Sequence, residues 1–210
     1  ERIGRGVYRL YRNNQIAIYL RLGSALTVLS GLEKKGFKSD MVFLDIPYRT
    51  PATVGGNRPM KFDTIEPAEF KDIMQLISTI IRNDDAALYY MFSQAKSGWK
   101  KMEKYNQVLF DVGFKLVEVG GYWKTYHSGK LVTNVAGETA KPEGLWLLTK
   151  SGEFKDKSQR NLEFILKRPN TSFKAGGYPT QKPASLYRAL INQSTRKNDI
   201  VTDPFVGGGK

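Results

Sequence analysis

Three short segments of the sequence place reactive or ligand-binding groups beside turn-forming residues. They are Asp45-Ile46-Pro47-Tyr48, Tyr178-Pro179-Thr180-Gln181-Lys182-Pro183 and Val201-Thr202-Asp203-Pro204-Phe205-Val206-Gly207-Gly208-Gly209. An acid followed by a glycine loop, as in the third segment, commonly holds a nucleotide-like cofactor, because glycine lets backbone amides approach the ligand. Taken singly, the segments also read as a common Asp-x-Pro-aromatic turn, a helix-entry loop and a simple glycine turn.

The stretches around these segments alternate between strand and helix patterns. Apolar residues at helical spacing predict helices over 66–82 and from Trp99 to about Gly113, and Pro183 suits the first turn of a third helix. Short apolar runs predict strands at 41–44, 86–92, 116–119, 145–149 and 200–202. This alternation predicts an α/β fold with a doubly wound, mostly parallel sheet. Ligands of such sheets bind at the carboxyl ends of the strands, where Asp45 and Asp203 fall.

The composition favours a polyanionic partner. The chain has 210 residues, with 33 Lys and Arg against 20 Asp and Glu, so its formal net charge of +13 favours nucleic acid over an anionic membrane surface. The absence of cysteine excludes a disulfide scaffold and a Cys nucleophile, and the single histidine excludes a two-His zinc motif. No apolar run reaches the roughly 18 residues of a membrane span. We therefore expect a soluble, cytoplasmic protein with no metal and no membrane partner.

Two basic stretches are candidates for contact with nucleic acid. The first 21 residues carry five arginines with tyrosines between them, and they read either as a phosphate-contacting arm or as a solvated edge segment. From Lys124 to Lys174 there are ten Lys or Arg and five Asp or Glu, a local charge of +5. This stretch reads either as a basic surface loop or as an insertion that contacts nucleic acid. The termini, Glu1 and Lys210, both read as cut ends.

Together, and in this order, the three segments resemble the permuted, beta-type DNA amino-methyltransferases. These enzymes transfer a methyl group from S-adenosylmethionine to the N6 amine of adenine or the N4 amine of cytosine. Asp45-Ile46-Pro47-Tyr48 is similar to their catalytic motif, Asp/Ser/Asn-Pro-Pro-aromatic. Pro179 to Pro183 match His-Pro-Thr-Gln-Lys-Pro with Tyr178 in place of His. The loop from Asp203 resembles Asp-Pro-Phe-x-Gly-Ser-Gly-Thr. The catalytic motif precedes the cofactor loop, which is the order of the beta type.

The resemblance implies a Rossmann-like S-adenosylmethionine-dependent fold with a small basic insertion, and a role for each matched residue. Asp45 and the Ile46 carbonyl would accept the amino hydrogens of a flipped base, Pro47 would stiffen the turn, and Tyr48 would stack on the base. The implied cofactor-binding residues are Asp45, Thr180, Gln181, Lys182, Pro183, Asp203, Pro204, Phe205, Gly207 and Gly209. No metal site is implied. The absence of Cys agrees, because methylation at cytosine C5 needs a Cys nucleophile.

Several positions depart from the family pattern. Ile46 replaces the first Pro of the catalytic motif, and Gly208 and Lys210 stand where Ser and Thr are usual. The helix and strand that follow the glycine loop in the family would lie beyond Lys210. These departures keep open a catalytically inactive, DNA-binding relative or subunit. Asp45 at the first motif position favours adenine N6 as the methylated atom, with cytosine N4 as the alternative.

The resemblance also divides the chain. Residues 1–123 would form the catalytic half with its basic N-terminal arm, 124–178 a target-recognition insertion, and 179–210 the cofactor-binding half, truncated after the glycine loop. The expected partner is double-stranded DNA. Many members of the family dimerise, so the resemblance is also compatible with a homodimer. A bacterial or phage-encoded enzyme, as in restriction–modification, is the expected setting.

Overall fold

A computed structural model describes residues 5–12, 15–46, 65–93, 96–126, 128–133, 137, 142–154, 161–167 and 182–205. Within these ranges the chain alternates between strands and helices, as the apolar patterns predict. In chain order the elements are β1 (Arg5–Arg12), β2 (Gln15–Leu22), α1 (Ala25–Glu33), β3 (Met41–Leu44), α2 (Pro67–Ile80), β4 (Ala87–Ser93), α3 (Lys96–Asp111), β5 (Lys115–Thr125), β6 (Glu143–Thr149), β7 (Glu163–Lys167), α4 (Ala184–Ser194) and β8 (Val201–Asp203).

The described strands form one mixed sheet in the order β2-β1-β8-β3-β4-β6-β5-β7. The neighbours β8–β3, β3–β4 and β5–β7 are parallel, and the other four neighbouring pairs are antiparallel. Six strands thus point one way, while β1 and β6 point the other way. The α/β class is confirmed, but the expectation of a mostly parallel sheet is only partly met.

The reversal of β6 follows from how the chain leaves β5. A parallel connection needs a crossover of a dozen or more residues, usually a helix. Here the chain turns back at once, because the Tyr126 N–H donates to the Lys130 carbonyl and Leu131 pairs antiparallel with Thr125. A chain that turns back in this way enters the sheet antiparallel to the strand it left.

The helices begin where the sequence supplies N-terminal signals. Pro67 stands in the first turn of α2, and Pro183 directly precedes α4, positions where a missing N–H costs no hydrogen bond. Both helices fit their predicted positions. Helix α1, which the apolar pattern did not predict, begins after Ser24, whose side chain accepts the Thr27 N–H at 3.2 Å.

Apolar side chains cover both faces of the central strands. Alternate residues of β3 point to opposite faces, so that Val42 packs on one side and Phe43 on the other. Helices α1, α2 and α3 cover the first face, and Leu186 and Leu190 of α4 cover the second. This layering keeps β3, β4 and β8 buried and fixes the positions of their ends.

Two ranges that the sequence left ambiguous contribute strands to the sheet. The stretch expected as an arm or an edge segment forms the β1–β2 hairpin at one side of the sheet over Arg5–Leu22. Strands β6 and β7 lie within 124–178. Strand β7, at the opposite side of the sheet, was not predicted from the sequence. Contact of either range with DNA stays a prediction. No helix among the described residues is long and apolar enough to cross a membrane.

We expect Gly120→Ala to destabilise the sheet edge. A Cβ atom at Gly120 would lie 2.3 Å from the carbonyl oxygen and 2.4 Å from the Cβ of Leu162, which precedes β7. Forcing these atoms apart should lower the free energy of unfolding by about 1–3 kcal/mol, measured by urea denaturation. Gly31→Ala in α1 is the matched control, because a Cβ there meets no atom within 4 Å. It should raise stability by roughly 0.5–1 kcal/mol, and equal stability of the two variants would contradict the packing at Gly120.

Candidate active site

Two predicted acidic residues lie side by side at one edge of the sheet. Asp45 directly follows β3, and Asp203 ends β8, the parallel neighbour of β3. Met41 pairs with Val201 and Val42 with Thr202, so both strands end at the same edge. The sequence-based placement of these two carboxylates at the carboxyl ends of strands is therefore confirmed, and the structure shows in addition that the two strands are neighbours.

The third predicted segment reaches the same edge through Lys182. Its ammonium Nζ donates to Oδ1 of Asp45 at 2.8 Å and to Oδ2 at 2.7 Å. The Lys182 side chain is 7% exposed and that of Asp45 is 21% exposed, so water competes little for this pair. Pro183 is buried and begins α4, which fixes the backbone that carries the lysine. Residues from three separate segments thus meet at one place.

A second carboxylate, which the sequence did not predict, belongs to the same cluster. Glu143 is the first residue of β6 and pairs with Ser93 at the end of β4. Because β6 is antiparallel to β4, its beginning lies at the edge where β3 and β8 end. Oε2 of Glu143 is 3.4 Å from Nζ of Lys182, and Oε1 accepts a hydrogen bond from Lys124 of β5. The charges alternate in the order Asp45, Lys182, Glu143 and Lys124.

The cluster sets different proton affinities for its two carboxylates. Burial raises the pKa of Asp45 above its ordinary value, and the negative charge of Glu143 adds to the rise, while Lys182 opposes it. Burial would also raise the pKa of Glu143, but Lys182 and Lys124 together lower it to about 2. Glu143 is therefore the permanently ionised member of the cluster.

Asp203, at the end of β8, also has a raised proton affinity. Burial raises its pKa to about 7, although the Phe205 N–H donates to its Oδ1 at 2.9 Å and partly opposes the rise. The nearby charge of Asp45 acts in the same direction as burial. Burial also raises the pKa of the neighbouring Tyr122 and Tyr187 well above the ordinary tyrosine value, so their hydroxyls stay protonated. Asp203 thus titrates near neutral pH beside an ion-pair cluster.

The remaining predicted residues divide into those the structure describes and those it does not. Ile46 is 1% exposed and packs into the core of the face covered by α1, α2 and α3, which gives an apolar residue a role at this position. Pro204 is buried, and Phe205 packs against the same core. Pro47, Tyr48, Thr180, Gln181, Gly207 and Gly209 lie outside the described residues, as does the single histidine, His127.

The arrangement suits ligands that carry amines or positive charge. Asp45, Glu143 and Asp203 bring three carboxylates to this edge, against the ammonium groups of Lys182 and Lys124. Carboxylate oxygens accept hydrogen bonds from amino groups and stabilise nearby cations. Among the described residues no group of three or more His, Cys, Asp or Glu side chains is placed to hold a metal ion.

Comparison with known proteins connects this site to one family. The profile of the N6/N4 DNA methylases matches residues 65–210. The type II methyltransferase M2.LlaDCHI of Lactococcus lactis subsp. cremoris is 51% identical over 35 residues, which are 17% of this chain and 13% of that protein. M.HpaI of Haemophilus parainfluenzae is 56% identical over 32 residues, 15% of this chain and 10% of that protein. The chain thus matches a small part of either relative's length.

Solved structures share the fold over most of the chain. The M1.HpyAVI–SAM complex has a TM-score of 0.59 at 20% identity, over 88% of this chain and 80% of that one. The cytosine-N4-specific PvuII DNA methyltransferase has a TM-score of 0.56 at 13% identity, over 84% and 70%. Identities this low establish a common fold and nothing further. The family profile, however, covers well over half of the chain, and the protein therefore belongs to the N6/N4 DNA methylase family.

Proposed function

We propose that this chain transfers a methyl group from S-adenosylmethionine to the N6 amine of adenine in double-stranded DNA, with Asp45 as the acceptor for the amine. The observation that carries the proposal is the convergence of Asp45, Lys182 and Asp203 at the carboxyl ends of β3 and β8. The family profile begins at residue 65, after Asp45. The role of Asp45 is therefore argued from its position and chemistry.

The chemistry of this edge fits the proposed cofactor. S-adenosylmethionine carries a sulfonium and an ammonium group, and when bound it supplies the methyl group from its sulfonium. The carboxylate of Asp203 faces this edge and, when ionised, would attract such positive charge. Phe205, Pro204 and Pro183 would supply apolar contact to the cofactor. Thr180, Gln181, Gly207 and Gly209 stay predicted cofactor-binding residues.

Asp45 would act on the target amine directly. The lone pair of an adenine amine is delocalised into the ring, which makes the nitrogen a poor nucleophile. The Asp45 carboxylate would accept one amino hydrogen and the Ile46 carbonyl the other, so that a tetrahedral nitrogen with an available lone pair is favoured. The same two acceptors stabilise the positive charge that develops on nitrogen as the N–C bond forms and the C–S bond to the methyl group breaks. The nitrogen then loses one proton and becomes a neutral methylated amine. Tyr48 would stack on the flipped base.

The basic surroundings suit a DNA substrate. The net charge of +13 favours binding to phosphates, and flipping the base out of the duplex costs a few kcal/mol, which stacking and hydrogen bonds must offset. Residues 124–178 carry the proposed target-recognition function, and this range contributes Glu143 and Lys124 to the site cluster. Methylation of cytosine N4 is the alternative reaction, because the amine chemistry is the same. An inactive DNA-binding relative is the alternative from another class.

The test is product analysis with an Asp45 variant. The full-length protein is incubated with unmethylated DNA and S-adenosylmethionine, and the digested nucleosides are identified by mass spectrometry. N6-methyladenine is the expected product, and Asp45→Asn should lower its rate of formation by about 100- to 1,000-fold because the charge that stabilises the nitrogen is lost. Asp84→Asn is the matched control. The Asp84 side chain is 75% exposed, and its ion pair with Lys150 is long, at 3.6 Å.

The outcomes separate the proposed reactions. Detection of N4-methylcytosine would support the same mechanism and would change the assigned target base to cytosine. DNA binding with no methylated nucleoside would favour the inactive relative. Thermal melting of the Asp45 variant must accompany the rates, because removing one partner of a buried ion pair also destabilises a fold.

We expect cofactor affinity to depend on pH through Asp203. Its pKa of about 7 means that it is largely protonated below neutral pH, and a positively charged ligand favours the ionised form. Affinity should therefore fall as the pH drops below about 7, by up to about tenfold per pH unit. Calorimetric titration with S-adenosylmethionine on both sides of that pH measures this. Asp203→Asn should weaken binding above neutral pH and flatten the dependence, and a flat profile for the unmodified protein would contradict the role of Asp203.

A further inference from the structure

The Lys182 ammonium lies between two carboxylates and is closer to one of them. It donates to both oxygens of Asp45, at 2.8 and 2.7 Å, and is 3.4 Å from Oε2 of Glu143. The distance from Nζ to Glu143 is longer than an ordinary N–H···O hydrogen bond of about 2.9 Å. The Lys182 side chain is only 7% exposed, so both carboxylates lie beside a largely buried ammonium. Asp45 is the tighter of these two partners of Lys182.

This arrangement opposes the reaction proposed for Asp45. An ammonium that contacts both oxygens weakens the carboxylate as an acceptor for a neutral amine. Positive charge also develops on the target nitrogen during methyl transfer, and a second positive charge on the same carboxylate would repel it. For the transition state, Lys182 is better placed away from Asp45.

Glu143 provides the place to which Lys182 can move. A buried ammonium needs compensating negative charge, so a neighbouring carboxylate that takes over this charge assists a shift of Lys182 away from Asp45. Glu143 is ionised throughout the physiological range, because Lys182 and Lys124 lower its pKa to about 2. Its position is fixed by the β6 backbone and by the hydrogen bond from Lys124. A movement of about half an ångström would bring Nζ to ordinary hydrogen-bond distance from Glu143 and would lengthen its contacts with Asp45.

We propose that Glu143 is a positioning residue that accepts the Lys182 ammonium when the target amine binds, and so frees Asp45 to hold that amine. The inference rests on the proposed function, because it assigns the partner of Asp45 during methyl transfer. In the structure the four charges of Asp45, Lys182, Glu143 and Lys124 balance. In the complex, Asp45 faces the target nitrogen while Lys182 pairs with Glu143.

The first test is the rate of a single methyl-transfer turnover in Glu143→Gln, which removes the charge and keeps the shape. With cofactor affinity unchanged, the rate should fall by at least about tenfold, as expected when a charged hydrogen bond is lost from a buried cluster. Glu33→Gln at the end of α1 is the matched control, because that side chain is exposed and lies outside the site and the proposed recognition range. Glu143→Asp keeps the charge and should retain more activity than Glu143→Gln.

A pH profile separates positioning from a purely structural role. The groups that face Asp45 are Lys182 before α4, Tyr187 of α4, Glu143 of β6, Lys124 and Tyr122 of β5, and Asp203 of β8. The charge of Glu143 raises the pKa of Asp45, so its removal should lower that pKa. The acid limb of the rate that is due to Asp45 should therefore move to lower pH in Glu143→Gln.

A double-mutant cycle tests whether Glu143 acts through Lys182. In a Lys182→Met background there is no ammonium to reposition, so Glu143→Gln should cause no further loss of rate. Independent, additive losses would overturn the proposal, as would a Glu143→Gln protein with the rate and pH profile of Glu33→Gln. If the unmodified protein methylates no nucleoside, the proposed function fails and this inference with it. If it is active and Glu143→Gln matches the control, only this inference fails.

Discussion

The ion pair between Asp45 and Lys182 joins positions that are 137 residues apart in the chain. Its geometry depends on two parts of the fold: β3, which ends at Leu44 directly before Asp45, and α4, which begins at Ala184, two residues after Lys182. Burial alone would favour a protonated Asp45, since it raises the pKa of that carboxyl. Lys182 opposes this rise, and the two charges can share the site only because the core on each face of β3 holds both backbones in place.

The antiparallel strand β6 is as important to the site as the parallel strands. In a fully parallel sheet the first residue of a strand lies at the edge opposite the ligand site. Because β6 runs against β4 and β5, its first residue, Glu143, lies at the carboxyl edge instead. The departure from a parallel Rossmann-like sheet thus supplies the second carboxylate of the cluster. Lys124, near the end of β5, reaches the same edge from the neighbouring strand.

Sequence patterns could predict the elements that are buried in a recognisable way. The helix over 66–82 has apolar residues at helical spacing, the strands at 41–44 and 86–92 are continuous apolar runs, and they form as α2, β3 and β4. Strand β7 was missed because its five residues alternate between exposed and half-buried among charged neighbours. Glu143 was missed because strand order and register bring it close to Lys182 and Lys124. Neither strand order nor register can be read from a single sequence. Asp45 and Asp203 could be predicted because each directly follows or ends a short apolar strand.

The net positive charge of the whole chain attracts anions, whereas the carboxylates of the site attract cations. A net charge of +13 attracts the phosphates of DNA over distances of about a Debye length, roughly 10 Å at 0.1 M salt. Within the site, three carboxylates face two ammonium groups, and one of them, Asp203, titrates near pH 7. A polyanion is thus drawn to the protein, while the carboxylates of the site favour amines and sulfonium-like cations. The proposed reaction requires this separation, because a uniformly basic site would repel the cationic methyl donor and would oppose the positive charge that develops on the amine nitrogen.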